Sequence, residues 1–212
     1  LGDSMSYLWT AVSGWIPRDR SFTYGFFIHA VTGPWASLQP LLAAQTLCGA
    51  ATCLAGAWLL VRGLGVRWPL AFTLALLGTV EPFMLAYERY VMTECLSLFL
   101  FAAHLVLVTE YLCRPRLGRL VLIQLAAIAT VSLRASYLPL LYANTLLVPL
   151  LGTVVWRGGA GPGGWRRWLR PAGHLACSLA AAALLNFGYR AAGVALDEER
   201  PLALQPESGL FQ

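Results

Sequence analysis

The chain has 212 residues, of which 58% are hydrophobic and 12% charged, with a formal net charge of +5 and a mean hydropathy of +0.64. That balance excludes an ordinary soluble domain and predicts an all-α polytopic transmembrane bundle of about six spans, with no room for a large soluble domain. Nucleic acid is excluded as a partner, because the arginines fall mainly in short connections between apolar runs, where they set topology.

The first 39 residues read as an external segment with short amphipathic helices. In "LGDSMSYLWTAVSGW", Asp3, Ser4 and Ser6 suit the start of a short helix that carries Tyr7, Leu8, Ala11 and Val12. Asp3 has a second reading: a carboxylate held at the membrane surface above a cavity, able to take a proton from a hydroxyl or to hold a divalent metal. Trp9, Trp15, Trp35 and Trp68 fit an interfacial aromatic belt. His29, in "FFIHAVTGPW", is a candidate for metal or acceptor contact.

Apolar runs follow at about 40–61, 68–86, 90–112, 120–133, 137–156 and 171–192, giving six expected spans over 40–192 and an external tail over 193–212. Glu81, in "TVEPF", precedes a proline expected to break the second run near its external end. The fourth run is short, so Arg134 is expected in a broken or re-entrant part of the membrane. His104 and His174 lack ligand-spaced partners and read as packing residues. Leu1 is not a start methionine, and a preceding span is expected outside this sequence.

Sidedness follows from the arginines. Arg62 with Arg67, then Arg114, Arg116 and Arg119, then Arg157, Arg166, Arg167 and Arg170 mark three cytoplasmic connections. The connections holding Glu88 and Arg89, then Arg134, fall on the opposite face together with the N-terminal segment and the tail "LDEERPLALQPES". All 15 basic residues are arginine, which with the wealth of Ala, Gly, Leu and Trp suggests a bacterial source with a GC-rich genome and an inner-membrane location. Five cysteines (Cys48, Cys53, Cys95, Cys113 and Cys177) form no Cys-x-x-Cys pair, so neither a disulfide framework nor a zinc site is indicated.

Charges at the mouths of apolar runs are the site candidates. A glutamate inside a bilayer costs roughly 3 kcal/mol on insertion scales, so Glu94 either faces a cavity or stays wet at a helix start favoured by the helix dipole. Arg89 either anchors at the interface beside Glu88 or contributes to binding. Arg134 interrupts two apolar runs on the side where arginine is disfavoured, and its planar guanidinium suits bidentate phosphate binding.

In order and sidedness, "GDSMSY", "GPWASLQPLLAAQTLCGAATCLAGAWLL", "EPFMLAYERYVMTECLSLFLF" and "LRASYLPLL" resemble the N-terminal half of the GT-C polytopic glycosyltransferases, especially the protein O-mannosyltransferase and aminoarabinose transferase type. The resemblance extends to about Leu151 and implies transfer of a sugar from a polyprenyl-phosphate donor to an acceptor on the external side of the membrane. By the same resemblance Asp3 corresponds to the first-loop catalytic aspartate, Glu94 to the acidic residue opening the third span, and Arg89 to the basic residue before it. A lone Asp stands where many such enzymes have an Asp-Glu pair, and their C-terminal part has no counterpart here, so the chain is expected to be either a fragment of a longer enzyme or a minimal module. Asp3 is thus the expected catalytic residue, and Tyr7, Glu88, Arg89, Glu94 and Arg134 the expected substrate-binding residues. The donor sugar, the acceptor and any metal stay open. A transporter or flippase using Glu94 and Arg134 as a pathway, and a noncatalytic membrane scaffold, are the competing readings.

Overall fold

A computed structural model describes residues 2–14, 22–35, 37–80, 90–155 and 166–198. Among the described residues the structure is helical, with no strand. Helix α1 covers Gly2–Ser13 and α2 covers Phe22–Thr32, continued by a 3₁₀ turn at Gly33–Trp35. The remaining helices are α3 (Gln39–Leu64), α4 (Trp68–Thr79), α5 (Glu94–Cys113), α6 (Leu117–Leu133), α7 (Leu138–Val155) and α8 (Arg166–Glu198).

Glycine, proline and arginine punctuate these helices in ways elementary chemistry explains. Pro40 and Pro69 occupy first turns, where the missing N–H would be unpaired in any case. Gly65 ends α3 in the left-handed region at φ 67°, sending its N–H to the Val61 carbonyl at 3.1 Å while Val66 reaches Leu60 at 3.3 Å. The turn folds α4 back on α3, where a Cβ added at Gly56 would make an ordinary contact with Ala75 at 3.6 Å. Arg134 takes an extended backbone between α6 and the 3₁₀ turn Ala135–Tyr137, so the expected break falls at this residue.

Helix α3 packs between α4 and α5; α5 pairs with α6; α6 and α7 both pack on α8. The short helices α1 and α2 pair with each other, and α2 reaches α3 and α6. Three apolar clusters hold the assembly. The first joins Ala11, Tyr24, Ile28, Leu41 and Leu133; the second Tyr111, Leu120, Ile123 and Val148; the third Ala127, Ile128 and Leu141.

Among the described residues three helical stretches are long and apolar enough to cross a membrane: Gln39–Leu64, Glu94–Cys113 and Pro171–Leu196. Trp68–Thr79, Leu117–Leu133 and Leu138–Gly152 are apolar but shorter. The second expected run, 68–86, is helical to Thr79, and its remainder from Glu81 lies outside the described residues. The third begins at Glu94 rather than at 90, and the sixth continues as helix to Glu198, beyond the expected start of the tail at 193. Leu47, Leu77, Leu184 and Phe187 are each two-thirds or more exposed. Apolar surface on that scale suits contact with acyl chains and would drive association in water.

Polar side chains inside the bundle are paired across helices. His104 of α5 meets Asn144 of α7 at 3.1 Å. Gln124 of α6 donates to Ser178 of α8 at 2.8 Å and accepts from Thr145 of α7 at 3.3 Å. His104 therefore has a partner within the helical core, as its reading as a packing residue anticipates.

Candidate functional site

Five segments converge at one end of the bundle: α1, α2, the start of α3, the start of α5 and the end of α6. Their common ground is the first apolar cluster, against which Tyr7, Leu8, Val91 and Leu96 also pack. On α1 the buried positions are Thr10 and Ala11, whereas Val12 is 84% exposed. The inward face thus runs through Tyr7, Thr10 and Ala11 at i, i+3, i+4 spacing, and Val12, expected on that face, lies off it.

Two contacts lock α1 to α2. Gly25 faces Thr10 so closely that a Cβ would stand 2.6 Å from the Thr10 Cβ, so only glycine fits without displacing a neighbour. His29 Nδ1 lies 2.7 Å from the Ala11 carbonyl. A carbonyl can only accept, so the ring donates from Nδ1. His29, a candidate for metal or acceptor contact in the sequence, is thereby engaged as a bolt between the two helices.

Glu94 and Arg134, 40 residues apart in sequence, meet here. Arg134 Nη1 donates to Glu94 Oε1 at 3.0 Å. Helix ends place both groups: Glu94 occupies the first turn of α5, where the dipole favours an anion, and Arg134 follows the last residue of α6, where it favours a cation. The arginine side chain is 43% exposed and the glutamate side chain 22%. Among the described residues no further partner engages the Arg134 guanidinium. The second Glu94 oxygen, Oε2, is buried without a hydrogen bond among the described residues.

Beside this pair lies a knot that the sequence did not announce. Gln45 of α3, 1% exposed, donates from Nε2 to the Tyr90 carbonyl at 2.9 Å and to the Tyr24 hydroxyl oxygen at 3.2 Å. The Cys95 thiol donates to the Gln45 carbonyl at 3.1 Å. Tyr7 meets Tyr24 edge to face, with ring centroids 5.0 Å apart. Burial pushes the Tyr24 hydroxyl well above its ordinary range, and Cys95, Glu94 and Tyr7 push it further in the same direction. Tyr24 therefore stays a neutral phenol, packed edge to face on Tyr7 and receiving the Gln45 amide. A lone glutamine within the apolar run of α3 was the one available signal, but its partners stand 21 and 45 residues away.

Of the expected site residues, Tyr7, Glu94 and Arg134 come together at this end. Asp3 lies on α1 one turn before Tyr7, and its side chain is outside what the structure describes, as are Glu88 and Arg89. Tyr90 is exposed beyond the start of α5 and gives its carbonyl to Gln45. Among the described residues no three His, Cys, Asp or Glu side chains lie close enough to hold a metal ion.

The other end of the bundle carries a different set. Arg119 pairs with Glu110 at 3.1 Å, and its Nη1 donates to the carbonyls of Glu110 at 2.7 Å and Arg114 at 2.8 Å. Tyr111 and His174 are linked by a hydrogen bond of 2.8 Å, and Gly152 of α7 lies against the Tyr111 ring. No protein family, curated protein sequence or solved structure matches this chain.

Proposed function

We propose that this chain is the catalytic module of a membrane glycosyltransferase, a six-span helical bundle that moves a sugar from a polyprenyl-phosphate donor to an acceptor on the external side of a bacterial inner membrane. One observation carries the reading. Arg134 is held by a single bond to Glu94 while the rest of its guanidinium has no partner among the described residues, at the end of the bundle where α1 brings in Asp3 and Tyr7. A guanidinium oriented but not consumed by its counter-ion is suited to receive a phosphate.

The chemistry follows from where charge develops. As the bond between the anomeric carbon and the phosphate oxygen breaks, negative charge grows on the phosphate, and Arg134, with Arg89, stabilises it in a site of low dielectric. The acceptor hydroxyl attacks the opposite face of the sugar and gives its proton to Asp3, so the new glycosidic bond has inverted configuration. Glu94 keeps Arg134 in place, and Tyr7 lines the approach from α1. The exposed apolar faces of the bundle provide the lipid-side surface along which a polyprenyl tail lies.

The test is transfer of a labelled sugar from polyprenyl phosphate by the purified protein in lipid. Asp3→Asn is expected to abolish transfer without loss of folded protein; transfer that persists unchanged would remove Asp3 from its role. The buried polar layer of His104, Asn144, Gln124, Thr145 and Ser178 favours a second reading, a transporter with a polar path through the bundle. Ion-coupled uptake with no glycosyl transfer would select it.

A further inference from the structure

Among the described residues, two buried oxygens at the candidate site have no hydrogen-bond donor: Gln45 Oε1 and Glu94 Oε2. Both are acceptors. The Gln45 amide cannot turn around to change this, because the Tyr90 carbonyl, a pure acceptor, requires the Nε2 side to face it at 2.9 Å. Its other visible contact, the Tyr24 hydroxyl oxygen at 3.2 Å, also receives Nε2. With the side chain 1% exposed, Oε1 is buried, and a buried acceptor left unpaired is costly enough to be uncommon in folded proteins.

Glu94 repeats the arrangement: Oε1 takes the Arg134 bond and Oε2 is buried without a partner. The two residues belong to one knot, since Cys95, next to Glu94, donates to the Gln45 carbonyl, and Tyr24, which takes the Gln45 amide, feels the Glu94 charge. Resting on the phosphate-binding reading of Arg134, we infer that Gln45 is a specificity-determining residue. Its Oε1, with Oε2 of Glu94, accepts hydrogen bonds from hydroxyl groups of the sugar carried on the lipid phosphate. The cation at Arg134 holds the phosphate, and the two acceptors read the group attached to it. A site that leaves buried acceptors unpaired without the right ligand discriminates strongly against analogues that lack the donor.

The experiment compares two probes, farnesyl phosphate and a hexosyl farnesyl phosphate, binding to the detergent-solubilised chain, followed by the fluorescence of its eight tryptophans. Wild type is expected to bind the hexosyl form about tenfold more tightly than the bare phosphate, and Gln45→Leu to bring the two within about twofold. Should Gln45→Leu fail to fold, because its amide also ties Tyr90 and Tyr24, monodeoxy hexosyl probes on wild type carry the test. Loss of the advantage on removal of one hydroxyl supports the inference, and equal binding by every deoxy form overturns it. If the bare phosphate binds in an Arg134-dependent manner and the hexose adds nothing, the inference falls and the phosphate site stands. If neither probe binds, the phosphate site falls and the inference with it.

Discussion

Two arginine–glutamate pairs stand at opposite ends of the α5–α6 hairpin and use their guanidinium groups differently. Arg119 is engaged on three sides, by the Glu110 carboxylate and by the carbonyls of Glu110 and Arg114. Those carbonyls belong to the last turn of α5 and its exit: the Glu110 carbonyl also takes the Arg114 N–H at 3.0 Å, and Arg119 adds a second donor there and reaches the Arg114 carbonyl beyond the helix end. Arg119 is therefore a cap and closes the hairpin. Arg134 makes one side-chain bond among the described residues, is more exposed, and stands against a carboxylate whose second oxygen is unpaired. The same two residue types thus give a saturated pair that holds structure and an unsaturated pair with capacity left for a ligand. Saturation, rather than the presence of an ion pair, separates the two roles.

The largest expected effect comes from Arg134→Ala. Loss of one donor to the developing phosphate charge should lower the transfer rate by about 2–4 kcal/mol of transition-state stabilisation. Arg134→Lys should recover only part of it, because a point charge does not replace a planar fork. Rates for wild type, Lys and Ala that are all equal would make Arg134 a mere flank and erase the contrast.

At the saturated end the next effect is steric. Gly152→Val drives a branched side chain into the Tyr111 ring, which stands 3.0 Å at its Cζ from the place of a Cβ. Overpacking of this kind should cost about 1–3 kcal/mol of stability, read as thermal denaturation in detergent. Arg119→Ala should follow, with a loss of about 1–2 kcal/mol from an Arg114 carbonyl without its side-chain donor and an unpaired Glu110, while transfer per folded molecule holds at the wild-type rate. A fall in transfer with unchanged stability would reverse the assignment of the two pairs. The smallest effect is the mirror measurement: Arg134→Ala should shift detergent stability by no more than about 0.5 kcal/mol, as expected of a half-exposed pair.

What sequence alone could anticipate divides along the range of the interactions. The break at Arg134 and the helical character of the apolar runs are local matters, written in proline, glycine and charge placement, whereas the third run starts at Glu94 rather than at 90. Glu94 and Arg134 were visible as candidates because a charge beside an apolar run is costly and needs a reason. Their pairing was not visible, since nothing local joins residue 94 to residue 134. Gln45 and Tyr24 were missed for the same cause: an amide and a phenol look unremarkable in a run until distant segments bring a carbonyl and a thiol to them. Val12 misled because an apolar residue at the margin of a helical stripe can fall on either side of it.

The length of α6 has a consequence for the membrane itself. Its 17 residues rise about 26 Å, less than the roughly 30 Å of a typical hydrocarbon core, while the 26 residues of α3 rise about 39 Å. In the proposed bilayer setting this hydrophobic mismatch tilts α3 and thins the leaflet around α6, so that headgroups dip toward Arg134. Catalysis should then depend on acyl-chain length: short-chain lipids match α6 and keep the guanidinium at headgroup depth, whereas long-chain lipids bury it away from an arriving phosphate.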